Sequence, residues 1–245
     1  MPGERPHAAL DVLGRGQWFA SLPESLRAAI VSALTIRAFA PGEAIIRQGR
    51  LPRGLCALIE GRARMTKLLA SGREVLIQVG GPGTWFGDWS VLADRPALNT
   101  TSAVTRCRVA VLPMAEFRRL VDEEPRWYRE FNRYLLDNVA TYYEAHAAHA
   151  GLSAEGWLRH RLAAIAEVVR RNEGVEGPVA LGVSQSELAT AVGLSRPALN
   201  GMLARLQRRG LLELRFRQVV VVDEAALRRV TDADDADSRR RPARR

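Results

Sequence analysis

The chain has 245 residues, 47% hydrophobic and 26% charged, the texture of an ordinary globular protein long enough for one large domain or two smaller ones. Its formal net charge of +9 rests almost wholly on arginine, since Lys67 is the single lysine; the planar guanidinium fork suits a polyanion such as nucleic acid. Two cysteines, Cys56 and Cys107, cannot supply a zinc or iron–sulfur site or a secreted disulfide framework, and no signal-like stretch or run of ~20 apolar residues occurs, so a cytoplasmic location with no membrane partner is expected.

Residues 17 to 35, QWFASLPESLRAAIVSALT, predict a helix with a start signal at Ser21-Leu22-Pro23-Glu24. From Arg37 to Val111 the texture changes to short apolar runs, among them EAIIRQG, LCALIEGRARM, REVLIQVG and RCRVAVLP. The turn-forming APGE, GR, ASG and GGPG separate them, which predicts a compact all-β barrel or sandwich. MAEFRRLVDEEP then reads as a short helix ended by Pro125. The next stretch, RWYREFNRYLLDNVATYYEAHAAHA, runs about 25 residues without glycine or proline and would extend about 37 Å as a helix. Trp127, Phe131, Leu135 beside Tyr134, Val139 and Tyr142 recur along it at spacings of three and four. A small barrel cannot cover a stripe of that length, so a second copy of the chain is expected to cover it in a homodimer.

Gly151 is expected to break this helix and Ser153 to cap the next, AEGWLRHRLAAIAEVVRRN. After the loop EGVEGP come a short strand in VALGV and the helix SQSELATAV, with Ser184 and Glu187 spaced as a capping box. Gly193, a second helix and a hairpin in LLELRFRQVVVVD follow. The closing TDADDADSRRRPARR has too little apolar content to fold, so residues 232–245 are expected to be disordered. The expected divisions are 1–123, a helical stalk at 124–150, a hinge at 151–153, a second domain at 154–231 and the tail.

The second helix lies in VGLSRPALNGMLARLQRRGLL, residues 192 to 212. Its inner side is Leu199, Met202, Leu203 and Leu206; its outer side is Arg196, Asn200, Gly201, Arg205, Arg208 and Arg209. From Ser184 to Val222 there are six arginines against two glutamates, whereas a merely solvated face mixes its charges more evenly. A glycine at 193 lets two helices cross closely, and the second helix of such a pair enters the major groove of DNA. Ser195 caps it where free N–H groups favour phosphate. Arg196 is then placed to reach a guanine edge or a phosphate, and Asn200 an adenine. Ser184, Gln185 and Ser186, the later Arg205, and Arg215 and Arg217 of the hairpin are expected to meet the backbone. The serines have no neighbouring histidine to activate them, so no enzyme activity is expected.

From about residue 17 to 231 the chain resembles the family of cyclic-AMP receptor protein and fumarate–nitrate regulators (CRP/FNR). The resemblance is carried by PGE at 41–43, GR at 61–62, FGDWSVL at 86–92, RP at 95–96 and the VGLSR turn, in that order. It implies an α+β fold: an N-terminal β-roll of the cyclic-nucleotide-binding jelly-roll type, a long dimerisation helix and a C-terminal winged helix-turn-helix. It further implies a homodimeric transcription regulator on an inverted-repeat DNA operator; contact with RNA polymerase is left open.

The same comparison exposes departures. In the family's phosphate cassette Gly87 is present and Asp88 replaces the glutamate that grips a ribose, but Ala97 and Leu98 stand where an arginine and a serine or threonine are usual. Losing a charged hydrogen-bonding partner costs ~1.5–3 kcal/mol before desolvation is counted, and Arg95 lies two residues earlier. Tyr142 and Tyr143 occupy the positions of small residues that meet adenine. An effector pocket of Gly87, Asp88, Arg95, Ala97, Leu98, Tyr142 and Tyr143 is therefore not expected to take cyclic AMP. Another nucleotide such as cyclic di-GMP, or no effector, is left open, as is a ligand sensor acting mainly through protein contacts. Neither an N-terminal cysteine cluster nor a histidine in the roll is available for an iron–sulfur or haem sensor, and no metal site is expected. In the DNA helix, Arg196 matches the family's base-reading arginine, while Pro197 and Gly201 replace a glutamate and a second arginine, which predicts an altered or relaxed operator.

Overall fold

The computed structural model describes residues 11–215 and 218–229; Arg217 and the tail at 232–245 lie outside them. Two compact units divide the chain between Val139 and Ala140. The division falls inside the long helix, whose first half packs into the core of the first unit.

The first unit opens with α1 (Gln17–Ser21) and α2 (Glu24–Ala33). These replace the single helix expected over 17–35: Pro23 offers no N–H to continue α1 and instead caps α2, and Thr35 already begins a strand. Eight strands follow, β1 (Thr35–Phe39), β2 (Ala44–Ile46), β3 (Gly54–Glu60), β4 (Ala63–Leu68), β5 (Glu74–Gly80), β6 (Trp85–Phe86), β7 (Thr100–Ala103) and β8 (Cys107–Pro113), with the short α3 (Asp88–Ala93) after β6. They form two antiparallel four-stranded sheets, ordered β1-β8-β3-β6 and β2-β7-β4-β5. The expected roll is present.

Strands β3 and β8 read as continuous apolar runs because both of their faces are covered. Side chains alternate across a strand, so Cys56 and Leu58 of β3 join Cys107, Val109 and Val111 of β8 in a core between the sheets. Leu55, Ala57 and Ile59, with Ala110 and Leu112, enter a second core beneath the helices. Trp18, Phe19, Leu26, Ile30, Phe117, Leu120 and Phe131 complete that second core.

After α4 (Met114–Glu123) and a 3-10 turn at Pro125–Trp127 comes the long α5 (Tyr128–Gly151). Trp127 and Phe131 were expected in an intermolecular stripe, but their own chain covers them. Trp127 packs against the helix-side core, and Phe131 is 2% exposed, edge-on to Phe117 at 4.9 Å. Tyr134 donates its hydroxyl to the Trp85 carbonyl at 2.6 Å, and Asn138 donates to the Asp88 carboxylate at 2.8 Å. Leu135 is half-buried, whereas Leu136, Val139, Tyr142 and Tyr143 are exposed. One face of α5 is thus anchored in the core of the first unit, and another carries exposed apolar side chains. Gly151 is the last residue of α5 rather than its break.

The second unit contains α6 (Ala154–Glu173), β9 (Val179–Ala180), α7 (Gln185–Val192), α8 (Arg196–Arg208), β10 (Leu212–Arg215), β11 (Gln218–Val221) and α9 (Glu224–Arg228). Ser153 caps α6 by accepting the Gly156 N–H at 3.1 Å. The strands form an antiparallel sheet, β10-β11-β9. Leu158, Leu162, Leu181, Leu188, Leu199, Leu203, Leu206, Val219 and Val221 are essentially inaccessible beneath α6 to α8.

Candidate nucleic-acid interface

The α7–α8 pair is built as the local residues dictate. Ser184 accepts the Glu187 N–H while the Glu187 carboxylate accepts both the N–H and the hydroxyl of Ser184, a closed capping box. Gly193 ends α7 at φ 72°, a left-handed turn that costs glycine nothing. Ser195 caps α8 by accepting the Ala198 N–H at 3.4 Å, and Pro197 sits in the first turn, where no N–H is needed. Leu199, Leu203 and Leu206 bury one side of α8, which leaves Ser195, Arg196, Pro197, Asn200, Gly201, Arg205, Arg208 and Arg209 exposed.

The expected contact residues separate on closer view. Arg196 and Asn200 stand exposed on the first two turns of α8, with Ser186 exposed and Gln185 half-buried at the start of α7. The Ser184 hydroxyl is engaged inside the capping box. Arg205 donates twice to Glu155, and Arg215 twice to Glu213 on its own strand. A Cβ on Gly201 would have only the far end of Arg205 within 4 Å, so packing does not require the glycine there.

In the first unit, Gly87 caps α3 at φ 94°, and a Cβ there would press on Ile46 at 3.1 Å and the Gly54 carbonyl at 3.4 Å. Asp88 faces Asn138 of α5, and burial above all pushes its carboxyl above the ordinary range, against the lowering pull of the Asn138 and backbone hydrogen bonds. Arg95 is exposed. Ala97 is 7% exposed within the core between the sheets, its backbone paired with Gly49 and Arg50. Leu98 is exposed, with its carbonyl accepting from Lys67 at 2.6 Å. Tyr142 and Tyr143 belong to the second unit and are exposed there. Among the first-unit residues expected to line one pocket, Ala97 is thus buried while Arg95 and Leu98 are exposed.

Comparison with known proteins bears on both units. The model of the cyclic nucleotide-binding domain matches residues 36–124, and that of the Crp-like helix-turn-helix domain matches residues 157–230. The transcriptional regulator LdrP of Thermus thermophilus is 31% identical over 196 residues, 79% of this chain and 95% of LdrP. The chain belongs to the CRP/FNR family of transcription regulators. A CRP-like cAMP-activated global transcriptional regulator of Mycobacterium tuberculosis is 24% identical over 219 residues, 89% of this chain and 98% of that protein. A crystal structure of a CRP-family transcriptional regulator, also from Thermus thermophilus, matches with a TM-score of 0.60 and 26% identity, covering 79% of this chain and 95% of the other. Among the described residues of this CRP/FNR regulator, no helix is long and apolar enough to cross a membrane.

The stripe included Tyr134, but sequence reasoning foresaw neither its contact, nor that of Asn138, nor the pairing of Glu155. Tyr134 and Asn138 tie α5 to the roll, and Glu155 ties α6 to α8. The spacing of Phe131, Tyr134 and Asn138, three and then four residues, is the one signal that marked the anchored face.

Proposed function

We propose that this CRP/FNR regulator works as a homodimer that reads an inverted-repeat operator through α8 and does so without cyclic AMP. The reading is carried above all by the first two turns of α8, where Arg196 and Asn200 project from a capped, proline-stiffened start. Arg196 takes a guanine or a phosphate, and Asn200 an adenine. Self-association is supported by the exposure of Leu136, Val139 and Tyr143, at 64%, 48% and 71%, on the helix that the family uses for it. Two such chains would set half-sites about one helical turn apart. The chain carries out no chemistry; its output is occupancy of DNA.

Independence from cyclic AMP is supported by the cassette. Ala97 is buried among apolar side chains and brings no positive charge toward a cyclic phosphate, and the carboxylate that would meet a ribose is held by Asn138. These residues do not fit the nucleotide named for the mycobacterial relative.

Selection from random DNA followed by mobility shifts over a salt series tests the reading. A twofold-symmetric consensus is expected, with affinity falling steeply in salt and Arg196→Ala costing about 1–3 kcal/mol on that sequence. A chain acting only through protein contacts would retard no duplex. Calorimetry with cyclic AMP is expected to show no binding tighter than about 100 µM; a low-micromolar isotherm would refute the second half of the proposal.

A further inference from the structure

We propose that Glu155 is a resident competitor for DNA phosphate that sets how tightly α8 grips any duplex. The inference rests on α8 being the groove helix. With ~3.6 residues per turn, Pro197, Gly201 and Arg208 run along the middle of its exposed face, Arg196 and Asn200 along one edge, and Arg205 and Arg209 along the other. A helix lying in the major groove has a phosphate backbone beside each edge.

The second edge is already claimed. Glu155 lies in the first turn of α6, which the Ser153 cap holds in place. Its Oε2 accepts from both Arg205 Nε at 3.0 Å and Nη2 at 2.7 Å, the two N–H groups that an arginine would otherwise offer to two oxygens of a phosphate. Its Oε1 lies 3.8 Å from Arg209 Nη1. The carboxylate is the sheltered member, its side chain 25% exposed, while those of Arg205 and Arg209 are 47% and 46% exposed. A phosphate can therefore reach either arginine, but to take the fork it must displace a fixed anion. The Arg215–Glu213 pair differs, since both side chains are more open, at 60% and 49%, and neither is on α8. One carboxylate thus subtracts from the attraction of two arginines without touching the bases.

The test uses the full-length protein and two labelled duplexes over a potassium chloride series, a random sequence of about three helical turns and the selected operator. Glu155→Gln is expected to bind both duplexes about three- to tenfold more tightly, with the salt slope steeper by about 0.9 for each arginine released to a phosphate. Adding Arg205→Gln should remove most of that gain. Should the glutamine variant lose its cooperative thermal transition, Glu155→Asp, which withdraws the carboxylate by one methylene, is expected to give a smaller gain of the same kind. Unchanged or weaker binding by the folded variant, with Arg196→Ala still weakening operator binding, overturns the proposal alone. If Arg196→Ala leaves operator affinity untouched, the groove reading falls and takes the proposal with it.

Discussion

Single residues in this protein carry opposite costs that their chemistry does not announce. Gly87 and Gly201 are both glycines beside or within helices, yet only the first is required. Gly87→Ala must hold a side chain at φ 94° against Ile46 and is expected to lose about 1–3 kcal/mol in chemical denaturation. Gly201→Ala meets only the far end of Arg205, at an ordinary contact distance of 3.9 Å, and is expected to gain about 0.5–1 kcal/mol from helix propensity. Two titrating groups oppose each other in the same way. Asp88 has its carboxyl raised by burial, so the native chain holds its proton longer than the unfolded chain; the stability it contributes is full in acid and lost as pH rises through its native value. Asp88→Asn should therefore raise the melting temperature near neutrality, with the gain shrinking toward pH values below about 4. His160, lowered by burial and then by Arg161 and Arg228, contributes stability that is present above about pH 6.5 and lost as pH falls through its lowered value. A melting curve series from pH 7.5 downward should flatten in His160→Gln. Cys56, pushed up to about 12 by burial, should resist thiol reagents until the protein is unfolded.

At the level of elements, α5 shows why a periodic stripe names a need and not its partner. Trp127, Phe131, Val139 and Tyr142 recur at one helical spacing, but the first two pack into the core of their own chain and the later two are exposed. Phe131→Ala is expected to cost about 3–5 kcal/mol of stability at any protein concentration. Leu136→Ala should leave the melting temperature nearly unchanged under dilute conditions and instead weaken self-association in sedimentation equilibrium. Capping, by contrast, was legible residue by residue, because Ser153, Ser184 and Ser195 act on N–H groups within three positions. Each of these contacts is local enough to be written in the spacing. The Glu155–Arg205 pair joins residues 50 positions apart, and no local pattern records it.

For the whole molecule, the order of parts was readable because texture changes where architecture changes: short apolar runs with glycine turns, then an unbroken helix, then a capped helix pair. The packing of the first half of the long helix into the first unit's core was not, since that is tertiary and leaves no break in the helix. The cassette was readable as chemistry but not as placement; Ala97 and Leu98 are neighbours that part company, one into the interior and one to the surface. The strands β3 and β8 carry a last implication. Their odd and even side chains are tenants of different interiors, so inserting one amino acid near the middle of β8 would swap the lodgings of every side chain beyond it. Placed after Ala110, it would drive Val111 beneath the helices and Leu112 between the sheets. This stretch should therefore tolerate like-for-like exchanges far better than any change in its length.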